Sequence, residues 1–167
     1  FREACGRLCA QVVAPRVLRP GPTELRRIVC QMPPTLRISL PGSPATISLH
    51  SDSVYPNHHP CEVNWWLPLT PVFDSNTLWL ESAPGAEDYR PMALSPGQLL
   101  RFNGYECRHF TQPNETSSSR VSFDWRVVPL ELCSGGEPPT RCSEFPVEVI
   151  AASDEAEAAG GLGDERR

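Results

Sequence analysis

Short apolar segments, separated by turns rich in Pro, Gly, Asn and Asp, recur along the middle of the chain. This pattern predicts strands at 36–40, 46–50, 62–70, 77–81, 98–102, 107–111 and 121–127. The intervening sequences PGSP (41–44), PVFDSN (71–76) and QPNETSSS (112–119) are typical of turns. Short strands at such intervals are typical of a sandwich or barrel. We therefore predict one all-β core over residues 35–132.

The two ends of the chain follow a different pattern. Residues 1–34 read as a helical or irregular segment, with a short helix predicted from Thr23, its N-cap, to Cys30. Residues 133–150 are predicted to be a C-terminal extension, and 151–167 a disordered acidic tail of small and charged residues.

Composition narrows the possible functions. The 19 prolines argue against a helix bundle, and the net charge of −5 gives no support for nucleic-acid binding. No apolar run is long enough to span a membrane. The chain contains no Lys, which excludes Schiff-base, P-loop and general-base chemistry by that residue. It lacks an initial Met and a signal-type start, as expected of a fragment or processed form, and a cytoplasmic location is favoured.

The seven cysteines show no CxxC spacing, so structural zinc is not expected. We predict mostly reduced thiols, with a local disulfide between Cys133 and Cys142 as the alternative.

Candidate metal ligands concentrate around His50-Ser51-Asp52. On a strand, residues two apart share a face, so His50 and Asp52 would point the same way. His109 lies on another predicted strand segment, 107–111. Two His and one carboxylate form the facial triad of non-haem iron(II) oxygenases, and zinc is the competing metal for the same ligands.

A possible anion anchor follows His109 in the sequence. Arg120 and Ser122 lie 11 and 13 residues after it and would share one strand face. A guanidinium beside a hydroxyl suits bidentate binding of a carboxylate, such as the distal carboxylate of 2-oxoglutarate. Asn64 is predicted to make a polar contact with the cosubstrate or substrate.

The order of these motifs resembles that of the iron(II)/2-oxoglutarate-dependent oxygenase superfamily. The segments NWWLPLTPVFDSNTLWLESAPG (64–85) and SPGQLLRFNG (95–104) are similar to the phytanoyl-CoA-dioxygenase-like branch. EVNWWLPLT, NTLWLES and RVSFDWR look closer still to small oxygenase-like proteins of streptomycin biosynthesis clusters. The resemblance covers residues 46–128 and implies a double-stranded β-helix, or jelly roll.

The resemblance also implies roles for individual residues. His50, Asp52 and His109 match the Fe(II) ligands, and Arg120 with Ser122 matches the 2-oxoglutarate anchor. The expected activity is a dioxygenase that hydroxylates a small metabolite, using dioxygen and releasing succinate and CO2. We expect Tyr55, His58 and His59 in a loop and Glu81 behind the candidate site. Contact with the substrate is the alternative for all four.

Two other functions are compatible with the same sequence features. A cupin-like module or isomerase would bind another metal, or none, and would not use 2-oxoglutarate. An inactive family member would fold without taking up iron.

Overall fold

A computed structural model describes residues 26–129 and 147–149, whose regular secondary structure is almost entirely β-strand. The strands are β1 (Arg26–Cys30), β2 (Thr35–Ser39), β3 (Val63–Pro68), β4 (Leu78–Leu80), β5 (Arg90–Pro91), β6 (Leu100–Phe102), β7 (His109–Thr111), β8 (Arg120–Pro129) and β9 (Val147–Val149). Two 3-10 turns, Asp52–Val54 and Asp74–Asn76, complete the elements, and the described residues contain no α-helix. None of their helical segments is long and apolar enough to cross a membrane.

The larger sheet is built around the ten-residue strand β8. The strand order is β6-β3-β8-β1-β9, with β2 also paired to β8, and every pairing is antiparallel. Along one edge of β8, β2 pairs with residues 120–124 and β1 with residues 127–129. Its other edge pairs with β3 over residues 122–127. Side chains at 120, 122, 124 and 126 therefore share one face of this sheet.

The smaller sheet has the order β5-β4-β7 and carries the third predicted metal ligand. An isolated antiparallel bridge between His50 and His109 adds the segment before Asp52 to the free edge of β7. This bridge connects the two parts of the chain that supply the candidate ligands.

Consecutive tryptophans of β3 pack on opposite faces of the large sheet. Trp65 joins a buried cluster with Cys30, Trp125 and Val127. Trp66 packs on the other face in a second cluster, whose members come from both sheets: Val72, Leu78, Leu80, Leu100 and Phe102. The alternation follows from the two-residue period of a strand.

Most predicted strands are present, with ends shifted by one or two residues. The predicted helix from Thr23 to Cys30 is wrong where the structure describes it, because Arg26–Cys30 is a strand hydrogen-bonded to β8 and β9. The predicted strand 46–50 runs beside β7, but only His50 forms a ladder bridge. The pattern missed β1, β5 and β9. The Cys133–Cys142 pair, the disordered tail and most of the two terminal segments lie outside the described residues.

The loop between β7 and β8 is organised by Asn114, which is completely buried. Its amide donates to the carbonyl oxygens of Ser39 and Ser118, at 3.2 and 2.9 Å, and its Oδ1 accepts from the Thr116 hydroxyl at 2.7 Å. Asn114 begins an Asn-Glu-Thr glycosylation sequon, but this burial leaves no space for a glycan. The loop turns the chain so that β8 begins at Arg120.

We predict that Asn114→Ala lowers the free energy of unfolding by about 1–3 kcal/mol, because buried carbonyls lose their donors. Urea denaturation followed by tryptophan fluorescence measures this change. The control Asn57→Ala removes an exposed amide without a hydrogen bond and should change stability by less than about 0.5 kcal/mol. Equal stability of the two variants would contradict this role for Asn114.

Candidate metal centre

His50 and His109 are direct neighbours across the bridge that joins them. The His109 N–H donates to the His50 carbonyl at 2.8 Å, and the His50 N–H donates back at 3.2 Å. Directly opposed residues of an antiparallel pair project their side chains to the same side. The two imidazole rings accordingly lie with their centroids 4.5 Å apart.

Backbone carbonyls determine which nitrogen of each imidazole is available to a metal. Nδ1 of His50 lies 2.7 Å from the Ser48 carbonyl oxygen, and Nδ1 of His109 lies 3.2 Å from that of Cys107. A carbonyl only accepts, so each Nδ1 carries the proton and each Nε2 keeps a lone pair. Burial lowers the pKa of His109, despite the opposing effect of Asp52, and so favours the neutral form that binds metals.

Asp52 places one carboxylate oxygen between the two histidines. It begins the first 3-10 turn, and its backbone N–H donates to the Gly104 carbonyl at 2.8 Å. Its Oδ1 lies 3.4 Å from His50 Nε2 and 3.7 Å from His109 Nε2. The prediction that His50 and Asp52 converge is therefore correct, although a turn, not a continuous strand, brings them together.

The second oxygen of Asp52 is held from behind. Its Oδ2 accepts from Asn64 Nδ2 at 2.7 Å and from Arg126 Nε and Nη2 at 3.2 and 3.1 Å. Asn64 and Arg126 are partners in the β3–β8 register, so both project to the same side. Burial alone would raise the pKa of Asp52, but Arg126, His109 and Asn64 together lower it below its ordinary value. Asp52 is thus an ionised carboxylate whose Oδ1 is directed towards the histidines and also accepts from Arg126 Nη2 at 3.3 Å.

This donor set fits a divalent transition metal. One atom from each of His50, Asp52 and His109 lies within 4.8 Å of the other two. Two imidazole nitrogens and one carboxylate oxygen leave coordination positions open, which distinguishes such a site from closed structural zinc. A second group with metal-binding atoms comprises Asp52, His58 and Glu62. Arg126 lies 3.1 Å from Asp52 and 3.8 Å from Glu62 there, and its positive charge opposes a cation at that position.

A narrow cavity of about 40 Å³ extends from the two histidines to Arg120. Arg120 is 2% exposed, and its Nη1 and Nη2 donate to the Asn76 carbonyl and the Thr46 hydroxyl, at 3.0 and 3.4 Å. Its Nε has no hydrogen-bond partner, and no acidic side chain among the described residues forms an ion pair with it. Burial and the nearby charge of Arg37 lower its pKa, against the opposing effect of Asp124, which lies too far away to form an ion pair with it. A buried cation in this condition can bind an anion.

The other two predicted cofactor-binding residues have different surroundings. Ser122 shares a face of β8 with Arg120, is fully buried, and its hydroxyl has no partner among the described residues. It does not line the narrow cavity, so its contact with a cosubstrate stays a prediction. Asn64 uses both ends of its amide within the protein, since its Oδ1 also accepts from the Gly104 N–H at 3.1 Å. Asn64 thus orients Asp52, and its contact with a cosubstrate stays a prediction.

Sequence reasoning missed the groups behind Asp52. It expected His58 in an exposed loop, whereas that side chain is 17% exposed and its Nδ1 lies 2.7 Å from Glu62 Oε1. The importance of Arg126 could not be foreseen because it depends on strand register. Glu81, considered as a substrate contact, instead accepts from the Arg108 and Glu87 backbone N–H groups at 2.6 and 3.2 Å.

Comparison with known proteins agrees with this architecture. No family model matches the chain. The streptomycin biosynthesis protein StrG of Streptomyces griseus is 37% identical over 120 residues, which are 72% of this chain and 55% of StrG. The chain therefore spans about half the length of that relative. The predicted similarity to streptomycin biosynthesis proteins is confirmed at the level of sequence.

Solved structures with a similar fold include three proteins. AviO1 from Streptomyces viridochromogenes Tue57 matches with a TM-score of 0.52 and 21% identity, over 78% of this chain and 59% of its own. The apo form of the non-heme monooxygenase ThoJ matches with a TM-score of 0.53 and 17% identity, over 62% and 47%. The non-heme alpha ketoglutarate dependent carbocyclase SnoK, from nogalamycin biosynthesis, matches with a TM-score of 0.50 and 13% identity, over 73% and 61%. The chain thus shares the fold of non-heme oxygenases.

We predict that Asn64→Ala weakens divalent-metal binding by about 10- to 100-fold, because Asp52 loses the donor that orients it. Gly104→Ala should have the same effect by another route, since an added Cβ would lie 2.6 Å from Asn64 Nδ2 and displace the amide. Titration with Mn(II) or Ni(II) measures the affinity. Asn57→Ala is the control and should bind metal like the unaltered protein. Unchanged affinity in both altered proteins would contradict the positioning role of Asn64.

Proposed function

We propose that the protein is a non-haem Fe(II)- and 2-oxoglutarate-dependent dioxygenase with a double-stranded β-helix core. His50 Nε2, His109 Nε2 and Asp52 Oδ1 would hold Fe(II). Bound there, iron supplies the activation of dioxygen coupled to decarboxylation of 2-oxoglutarate, which yields succinate and CO2 and oxidises a substrate C–H bond. Hydroxylation of a small metabolite is the proposed outcome.

The observation that carries this proposal is the pairing of a two-His, one-carboxylate set with an uncompensated buried arginine in the same cavity. A zinc hydrolase or a cupin-like isomerase requires the ligands but has no need of the arginine. A diacid that chelates a metal at one end and meets a guanidinium at the other requires both. The other arginines of the cavity are already engaged, Arg37 by Asp124 and Arg126 by Asp52. Arg120 is therefore the proposed anchor, with Ser122 as a second donor.

Binding of 2-oxoglutarate requires the side chains around the cavity to move. A volume of about 40 Å³ is smaller than a five-carbon diacid. The wall beside the histidines includes the flexible aliphatic residues Ile47 and Leu78, which can rotate without loss of a hydrogen bond. The gain of a carboxylate partner for Arg120 would offset the cost of this rearrangement.

The similarity to StrG and the motifs at 64–85 and 95–104 support a small-molecule oxygenase related to the phytanoyl-CoA-dioxygenase-like branch. The likeness to ThoJ, AviO1 and SnoK supports a common scaffold for non-haem chemistry. The reaction itself rests on the site geometry described above.

Anaerobic addition of Fe(II) and 2-oxoglutarate should produce a weak visible charge-transfer band. His109→Ala should abolish this band, because the variant lacks one of three metal ligands. A folded, iron-loaded protein without the band would contradict the proposal. Tight binding of zinc or nickel without succinate release would then favour the cupin-like alternative.

Arg120→Leu should leave metal binding unchanged and raise the Kd for 2-oxoglutarate about 30-fold or more. Truncation of a buried, hydrogen-bonded charge costs about 2–5 kcal/mol. Titration of the charge-transfer band with 2-oxoglutarate gives this Kd. Arg101→Leu removes an exposed arginine of β6 and serves as the matched control. If both variants bind 2-oxoglutarate like the unaltered protein, Arg120 is not the anchor.

A further inference from the structure

A second, larger cavity opens beside the metal ligands. It has a volume of about 450 Å³, and its wall shares Arg37, His50 and Arg126 with the narrow cavity. The narrow cavity leads to Arg120, whereas the larger one is bordered by the loop that follows Asp52. That loop contributes four residues to the wall: Tyr55, Pro56, Asn57 and His58. The larger cavity therefore gives a second molecule access to the same metal centre.

A histidine–glutamate pair is fixed in the wall of this cavity. His58 Nδ1 lies 2.7 Å from Glu62 Oε1, and Glu62 is only 4% exposed. The other carboxylate oxygen of Glu62 accepts from the His59 backbone N–H at 3.1 Å, and Arg126 Nε lies 3.8 Å from Oε1. These contacts fix the carboxylate, which in turn orients the imidazole of His58. Since Nδ1 is engaged by the carboxylate, Nε2 is the ring nitrogen left for a ligand, and it makes no hydrogen bond within the described part of the chain.

The charges around the cavity are balanced within the protein. Arg37 Nε lies 2.5 Å from Asp124 Oδ1, and Arg126 contacts Asp52, Asp124 and Glu62. No arginine of this wall is left for a phosphate or carboxylate, in contrast to Arg120 in the narrow cavity. Among the described residues, three polar groups of the loop have no hydrogen-bond partner: the Tyr55 hydroxyl, the Asn57 amide and His58 Nε2.

We propose that the larger cavity binds an uncharged, polyhydroxylated small molecule, with His58 Nε2 hydrogen-bonded to one of its hydroxyl groups. Glu62 is the positioning residue that sets the orientation of His58. This inference rests on the proposed function, because it identifies the larger cavity as the substrate site of that reaction. It excludes phosphorylated compounds as preferred substrates, because the arginines of the wall are already paired with carboxylates.

The test uses the anaerobic Fe(II)–2-oxoglutarate complex of the whole chain, whose charge-transfer band responds to a molecule bound beside the metal. The probes are myo-inositol, D-glucose and D-sorbitol, each compared with a phosphate ester of the same compound. The unaltered protein should show a saturable shift of the band with at least one uncharged probe, and a weaker response to its phosphate ester.

Variants of His58 and Glu62 test whether this pair is responsible for the shift of the band. His58→Leu should raise the apparent Kd of the active probe at least tenfold and change the Kd for 2-oxoglutarate less than twofold. Glu62→Ala should resemble His58→Leu, whereas Glu62→Gln, whose amide oxygen can still accept from Nδ1, should retain part of the affinity. His59→Leu is the matched control, since His59 is outside the wall of the cavity.

The outcomes separate this inference from the proposed function. If the band forms but no uncharged probe shifts it, or if the phosphate esters bind more tightly, the inferred substrate class is wrong. If His58→Leu binds the active probe as the unaltered protein does, the role of His58 is wrong. If the band does not form at all, the proposed function fails, and the inference fails with it.

Discussion

The arrangement around the metal centre depends on one constraint, the burial of the Asp52 carboxylate. A carboxylate that is 1% exposed must be compensated, because the effective cost of removing an ion from water is several kcal/mol. Asn64 and Arg126 provide this compensation at Oδ2, and they can do so only because the β3–β8 register places them side by side. Oδ1 then remains directed towards the two histidines. The register of the large sheet therefore determines how Asp52 is oriented towards the other two candidate ligands.

A second consequence concerns the distribution of positive charge. Three buried or half-buried arginines line the narrow cavity, and two of them, Arg37 and Arg126, are neutralised by carboxylates. Only Arg120 is left with neutral acceptors, at the end of β8 farthest from Arg126. Among these three arginines, Arg120 is therefore the favoured partner for an anion bound near the candidate metal ligands. The larger cavity, whose charges are balanced, is suited to a neutral molecule, so the two molecules of a 2-oxoglutarate-dependent reaction would be distinguished by charge.

The sequence permitted prediction of the residues that converge, because the order of His50, Asp52, His109 and Arg120 along the chain resembles that of a known superfamily. The strand predicted to align His50 with Asp52 is replaced by a turn. His50, Asp52 and His109 converge, and Arg120 lies in the cavity beside them. The contribution of Arg126 depends on strand register, which brings it to Asp52 across 74 positions and leaves no local pattern. His58 and Glu62 are only four residues apart, but they pair through the path of an irregular loop, which has no period to predict it. The helix expected at Thr23–Cys30 failed for a related reason. Arg26–Cys30 becomes a strand through pairing with distant residues, and such pairing overrides local propensity.

The most direct test of the central claim is anomalous diffraction from crystals of the protein grown anaerobically with Mn(II) and 2-oxoglutarate. We expect one anomalous peak at coordination distance from His50 Nε2, His109 Nε2 and Asp52 Oδ1, with 2-oxoglutarate density from this metal to the Arg120 guanidinium. A peak among Asp52, His58 and Glu62, or a bound metal without 2-oxoglutarate at Arg120, would contradict the account.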